Sequence, residues 1–378
     1  MRFRRRIRVL LSALSSVCLV AFVINEAAAT AAAVPPEKHS APDSKIGMTL
    51  RRFTPAEPYN WRAAQTHALV TTIWYPVETS AIEKPVQIPG LNIFSLWNAV
   101  QNAQLPAEPA KFPLILLSHG TGGTAISIGW FAAGLARRGY IVAGVNHPGN
   151  NGAEAYTLEG FSEWWERARD LSVVLDHLLG DAEFGPRIDP RRIGAAGFSL
   201  GGYTMIEIAG GITDTQAFMA FCSSPNADAI CQSPPEFPTL VEDFKKLFAD
   251  HPELQQQARK SYRDPRIRAV FAMAPALGPT FRKESLQKIS IPVDISAGAS
   301  DTNVPIASSA KYFATNIPDA KLHIFPGSVG HYVFLDSCTE QGHTSRAMLC
   351  DDSPGVDREA IHTETCERAA RFFTTNLK

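Results

Sequence analysis

The sequence predicts an α/β fold: a mostly parallel central sheet with helices on both faces and cap-like insertions. Three observations predict it. Short apolar runs of strand length recur along the chain, as in "KFPLILLS" and "YIVAGV". Segments with helical spacing separate them, as in "WFAAGLARRGY". The strand runs are apolar at consecutive positions, the pattern of strands covered on both sides. Such an alternation argues for a parallel sheet, and in parallel sheets ligands bind beyond the carboxyl ends of the strands.

The chain has 378 residues, 45% hydrophobic and 19% charged, with a formal net charge of -1. That is enough apolar material for one large core, and no charge excess points to nucleic acid. The first residues read as an export signal. "MRFRRRIR" is cationic, "VLLSALSSVCLVAFVI" is apolar, and "NEAAATAAA" supplies small residues suited to cleavage after Ala29. Residues 1–29 are thus a signal peptide, 30–60 a linker and N-terminal extension, and 61–378 the folded domain. An uncleaved anchor is the alternative reading; the alanine-rich exit and the polar "VPPEKHSAPDSK" favour cleavage. Arg5 and Arg6 leave the export route open. No later stretch is apolar for long enough to span a membrane. The expected location is periplasmic or secreted.

In order, residues 66–76, "THALVTTIWYP", read as a strand rich in β-branched residues. "KFPLILLSHGTGG" is a buried strand stopped by glycines, "WFAAGLARRGY" a helix and "YIVAGVNHPGNNG" a second buried strand. "FSEWWERARDLSVVLDHLLG" has the periodicity of one amphipathic helix. "RRIGAAG" is a short strand and "GGYTMIEIAGG" the helix that follows it. "RAVFAMAPA", "IPVDISAGASD" and "AKLHIFPG" read as strands, and "IHTETCERAARFFTTNL" as the closing helix. Residues 81–111 and 222–263 do not fit the alternation and read as insertions able to cap a cleft. After the signal, five cysteines remain. Export makes disulfides the expectation, with Cys222–Cys231 and Cys338–Cys350 the preferred pairs and Cys350–Cys366 a possible one. No CxxC spacing suggests zinc, and no metal or cofactor is expected.

The segment G-F-S-L-G around Ser199 lies between a strand and a helix, where the glycines clear side chains from a strained turn and present the hydroxyl. A serine hydroxyl needs a base, and the base an orienting acid. In this architecture they follow in the order serine, acid, histidine. Asp301 stands just past the end of "IPVDISAGAS", whereas Asp294 lies within that strand and points into packing. His331, in "GSVGHYVFL", follows a strand and a glycine-containing loop; His323, His343 and His362 sit in less suitable places. An oxyanion would be held by the backbone N–H of Leu200 and by an amide of "SHGTGG", with Thr121 first and Gly122 next. His119 is expected to hold that loop, not to act as a second base. Phe198 and Trp130 are candidates for an acyl pocket, or else core aromatics.

These pieces resemble the α/β-hydrolases, and most closely the branch joining predicted dienelactone hydrolases to the platelet-activating-factor acetylhydrolase type. The matching stretches run from about residue 66 to the C-terminus and include "PLILLSHGTGG", "IDPRRIGAAGFSLGGYT", "SAGASDTNVP" and "GHYVFL". The resemblance implies a cofactor-free serine hydrolase acting on small-molecule esters. It places Ser199, Asp301 and His331 at the family's triad positions and Thr121 and Leu200 at its oxyanion positions. True dienelactone hydrolases carry a cysteine where this chain has Ser199, so dienelactone is not the expected substrate. Small or short-acyl esters are. Hydrolysis of amides or peptides by the same triad is the alternative, and a non-catalytic binding protein on the same scaffold a more distant one. Oligomeric state is not legible.

Overall fold

The computed structural model describes residues 44–88 and 90–378; the segment read as a signal peptide lies outside the described residues. The strands are β1 (Lys45–Phe53), β2 (Leu69–Val77), β3 (Lys84–Pro85), β4 (Asn98–Gln101), β5 (Phe112–Ser118) and β6 (Ile141–Val145). They continue with β7 (Ile188–Phe198), β8 (Val270–Met273), β9 (Val293–Gly298) and β10 (Lys321–Phe325). They form one sheet in the order β10-β9-β8-β7-β5-β6-β2-β1-β4-β3. From β10 to β6 all neighbours are parallel, and β2 joins β6 antiparallel.

Alternation along β5 shows why its sequence is apolar throughout. Leu114 and Leu116 face a cluster that includes Leu171, Val174 and Leu175. Ile115 and Leu117 face the opposite cluster, with Phe131, Leu135, Phe372 and Phe373. Successive side chains of a strand point to opposite faces, and here both faces are covered. The helices responsible are α1 (Gly129–Ala136), α3 (Glu166–Gly180), α4 (Leu200–Ala209) and the terminal helix Arg358–Asn376, while the short α2 (Leu158–Ser162) precedes α3. After β5 the chain moves to β6 on one side, and from β7 it builds outward through β8, β9 and β10 on the other. The carboxyl ends of β5 and β7 therefore flank a topological switch point.

Two expectations need correction. The segment read as linker contains β1, which pairs antiparallel with β2 along its whole length, so the sheet begins at Lys45. Gly47, Thr49, Arg51 and Arg52 break the apolar pattern that would have revealed it. Gly47 itself is needed there, because a Cβ would sit 2.4 Å from the Tyr75 ring. The amphipathic segment 161–180 is two helices, broken at Glu163. Glu163 is buried and accepts a hydrogen bond from Asn60. Beyond it, Trp164 stacks on Phe244 and Trp165 meets Phe248 edge-on, so both tryptophans turn inward. Adjacent positions of one continuous helix point about 100° apart; the break lets both rings reach the core.

The region after α4 carries α5 (Thr215–Cys222), α6 (Leu240–Asp250) and α7 (Glu253–Ala258). Disulfides join Cys222 to Cys231 and Cys338 to Cys350, the preferred pairs. Cys366 is free and buried against Gly134. No helix among the described residues is long and apolar enough to cross a membrane.

Candidate active site

β7 ends in a tight turn of unusual backbone geometry. Ser199 has φ +56°, a left-handed conformation that costs a side chain about 1–3 kcal/mol and persists only where the surroundings over-determine it. They do. Its N–H donates to Met273 O at 2.9 Å, and its carbonyl accepts from the N–H groups of Tyr203 and Ala276. A Cβ on Gly197 would lie 2.3 Å from Gly201 O, and one on Gly201 would lie 1.9 Å from Ser118 O. The two glycines let the helix press directly against the ends of β5 and β7. Ser199 is left as the residue that projects.

Asp301 stands past the end of β9. Its Oδ1 accepts the N–H groups of Asn303 at 3.0 Å and Val304 at 2.7 Å, which fixes the carboxylate and leaves Oδ2 to face His331. His331 Nδ1 donates to that oxygen at 2.6 Å, and its Nε2 lies 2.9 Å from Ser199 Oγ. With Nδ1 carrying the proton, Nε2 is the acceptor for the serine hydroxyl. All three side chains are buried, and Phe198 packs on the imidazole at a centroid distance of 4.8 Å. The alternatives are engaged elsewhere. Asp294 forms a fork with Arg368, His323 pairs with Glu364, and His343 pairs with Asp351 at the surface.

His362 and Trp130 have a role that sequence reasoning missed. His362 Nε2 donates to Val333 O at 2.8 Å, and Trp130 Nε1 donates to Phe334 O at 2.9 Å. The two rings stack at 3.7 Å. Together they pin the chain that follows His331. Trp130 stands away from the cavity, and Phe198 borders it.

On the other side of Ser199 lies the glycine loop after β5. Gly122 N–H donates to Asn150 Oδ1 at 2.9 Å and Gly123 N–H to Gly120 O. The Thr121 N–H has no acceptor among the described residues, which favours it over Gly122 as a donor for a ligand. Leu200 is the first residue of α4, and first-turn N–H groups lack partners within their helix. Both residues border the same cavity as Ser199. His119 is fully buried, with Nδ1 donating to Gly120 O and Nε2 accepting from His147 N–H. Burial pushes its pKa well below the usual range, so it is a neutral brace for the loop.

Behind this loop lies a second serine–histidine–aspartate constellation that no local pattern announced. His147 Nε2 is 2.9 Å from Ser118 Oγ, and its Nδ1 donates to Asp170 Oδ2 at 2.7 Å. Asp170 also accepts from Arg62 Nη2, which reaches both carboxylate oxygens, and from the Tyr59 hydroxyl. Ser118, His147 and Asp170 are all completely buried and none borders the cavity.

The cavity has a volume of about 1000 Å³. One wall, from α5, α6 and the end of α2, presents Phe161, Trp164, Phe218 and Phe244 and carries the Cys222–Cys231 disulfide. The cavity is also lined by Leu91, Ile93, Phe94 and Leu349. There residues 93–95 hydrogen-bond to Ser337 and Thr339, at the start of the loop closed by Cys338–Cys350. Both segments read as insertions thus border the cleft. Among the described residues, no group of three or more histidine, cysteine or carboxylate side chains is placed to hold a metal ion.

Comparison with known proteins fits this arrangement. Residues 92–173 match the family model of platelet-activating factor acetylhydrolase, isoform II, a stretch that includes the glycine loop and ends before Ser199. Lipase 1 of Moraxella sp. (strain TA144) is 31% identical over 93 residues, 25% of this chain and 26% of that protein. Cutinase est1 of Thermobifida alba is 30% identical over 114 residues, 30% of this chain and 35% of that protein. A putative esterase, NocK, of Nocardia uniformis subsp. tsuyamanensis is 28% identical over 209 residues, 52% of each chain. This chain therefore spans from about a quarter to about half the length of these relatives. A ferulic acid esterase from Streptomyces cinnamoneus is similar in structure, with a TM-score of 0.60 and 20% identity, over 88% of this chain and 90% of that one. The resemblance to the α/β-hydrolases, and to the platelet-activating-factor acetylhydrolase type within them, holds, and the fold is theirs.

Proposed function

From this α/β-hydrolase fold, we propose that the chain is an exported serine hydrolase that cleaves carboxylic esters of small or short-acyl type. The observation that carries the reading is His331, hydrogen-bonded between Asp301 and Ser199 at a strained elbow that opens on a cavity. His331 Nε2 takes the Ser199 hydroxyl proton as Oγ attacks the ester carbonyl carbon. The N–H groups of Thr121 and Leu200 receive the oxyanion. The intermediate then expels the alcohol, which leaves with the proton from His331, and Ser199 keeps the acyl group. Water, activated by His331, repeats the sequence and releases the acid. Export is supported by the leader-like first residues and by two disulfides, which suit an oxidising compartment.

The test is hydrolysis of p-nitrophenyl esters of increasing acyl length, beside matching anilides, by wild type and Ser199→Ala. Ester turnover that is lost in the variant supports the proposal. Faster cleavage of the anilides would shift it to amide chemistry. A folded wild type inert on both series would favour a binding protein.

A further inference from the structure

Arg167, at the start of α3, is 1% exposed, yet no carboxylate among the described residues lies within ion-pair distance of it. Its Nη2 donates to the His119 carbonyl and to Ser118 Oγ, its Nε donates to Thr204 Oγ1 at 3.3 Å, and its Nη1 has no acceptor. Asp170, one helical turn away, is already occupied by Arg62, Tyr59 and His147. A cation buried among neutral oxygen atoms is an expensive arrangement, and a hydrophobic residue of similar volume is often more stable there. Departures of this kind from local rules concentrate at functional sites.

Two of its three acceptors lead to the oxyanion donors. The His119 carbonyl belongs to the peptide that enters Gly120 and Thr121. Thr204 Oγ1 donates in turn to the carbonyl of Leu200 at 3.0 Å. The two halves meet at this point, since a Cβ on Gly201 would lie 2.8 Å from His119 O. Building on the serine-hydrolase reading, we infer that Arg167 is a positioning residue for the oxyanion hole. It clamps the two backbone segments that present the Thr121 and Leu200 amides, and it sets a permanent positive charge beneath the place where negative charge develops. Arg62, Asp170, His119, His147 and Tyr203 are the titratable groups around it. Burial pulls the pKa of the guanidinium down, yet a guanidinium starts so high that it stays charged through the range in which a buried ammonium deprotonates.

The experiment compares Arg167→Met and Arg167→Lys with wild type in the full chain. It measures kcat and KM on p-nitrophenyl acetate, the affinity of an aryl boronic acid that forms a tetrahedral adduct on serine, and Tm. Loss of one direct oxyanion donor costs roughly 10²–10³ in kcat, so Arg167→Met, acting through the backbone, is expected to lose roughly 10- to 100-fold. Boronate affinity should fall in parallel, with KM nearly unchanged and Tm equal or higher. Arg167→Lys should recover much of the rate near neutral pH and lose it in alkali, as the buried ammonium deprotonates. Wild-type kcat in Arg167→Met, or a loss confined to KM with boronate binding intact, overturns the inference. If Arg167→Met does not fold, a pH profile of Arg167→Lys that parallels wild type into alkali overturns it. Ser199→Ala keeps the two claims apart: residual activity there sinks the serine reading, whereas a Ser199-dependent rate insensitive to Arg167 sinks only this one.

Discussion

The chain holds two serine–histidine–aspartate constellations with nearly the same internal geometry. Ser199, His331 and Asp301 are linked at 2.9 and 2.6 Å; Ser118, His147 and Asp170 at 2.9 and 2.7 Å. Their surroundings differ in three ways. Ser199 sits at positive φ on a turn, borders a cavity of about 1000 Å³ and has unoccupied amides beside it. Ser118 is the last residue of an ordinary strand, touches no cavity and receives a hydrogen bond from Arg167. The carboxylates differ as well. Asp301 accepts backbone N–H groups and one imidazole, whereas Asp170 is shared with Arg62 and Tyr59. Side-chain spacing alone therefore does not tell the two apart. Access, backbone strain and free donors do.

The sharpest way to break this contrast is at the two serines. Ser199→Ala should lower ester hydrolysis by about 10⁵- to 10⁶-fold, the scale of losing a catalytic serine. Ser118→Ala should lower it by less than about tenfold, because only the brace behind the oxyanion loop is disturbed. A fluorophosphonate probe followed by peptide mapping should find its label on Ser199; label on Ser118 would end the distinction.

The aspartates come next. Asp301→Asn should cost about 10⁴ in kcat with Tm close to wild type, since the His331 tautomer is lost and little else. Asp170→Asn should do the reverse. It leaves Arg62 buried without a charge partner, a loss of about 3–5 kcal/mol that thermal or urea unfolding would register. An Asp301→Asn protein as active as wild type, or an Asp170→Asn protein as stable, would contradict the division of roles.

The smallest effect lies in the support of the open site. Burial holds the His362 imidazole at about 4, below its ordinary 6.5. The folded protein thus refuses a proton that the unfolded chain accepts. The stabilising contribution of His362 is full above pH 6.5 and is lost as the pH falls through 4. The lead in Tm of wild type over His362→Gln should shrink by a few degrees across that interval. A constant lead would show that His362 does not titrate with unfolding.

Legibility in the sequence followed the range of the interactions. Ser199 stands in a local pattern, and Asp301 and His331 follow it in an order that the architecture dictates, so the residues brought together were nameable beforehand. The consecutive apolar residues of β5 announced a strand covered on both faces. β1 was hidden because Arg51 and Arg52 interrupt its apolar character, and its identity comes from pairing with β2. The sealed network was hidden for the same reason: Tyr59 and Asp170 are 111 positions apart, and no local window holds both. One signal was present. Arg167 precedes Leu171, Val174 and Leu178 on one stripe of α3, and a charged residue on an apolar stripe is a buried polar group in need of partners.

The Cys222–Cys231 disulfide lies in the wall of the cleft, Cys338–Cys350 closes the loop that lends Arg346 and Leu349 to it, and the sheet beneath contains none. Each closes a short loop, with cysteines 9 and 12 positions apart, and such links are worth about 3 kcal/mol. In practical terms, protein produced in a reducing bacterial cytosol should pass the usual checks of solubility and turnover on a small chromogenic ester. It should nevertheless be the wrong reagent for screening. With its walls untethered it would rank acyl lengths poorly, and a substrate profile taken with and without dithiothreitol would expose the difference.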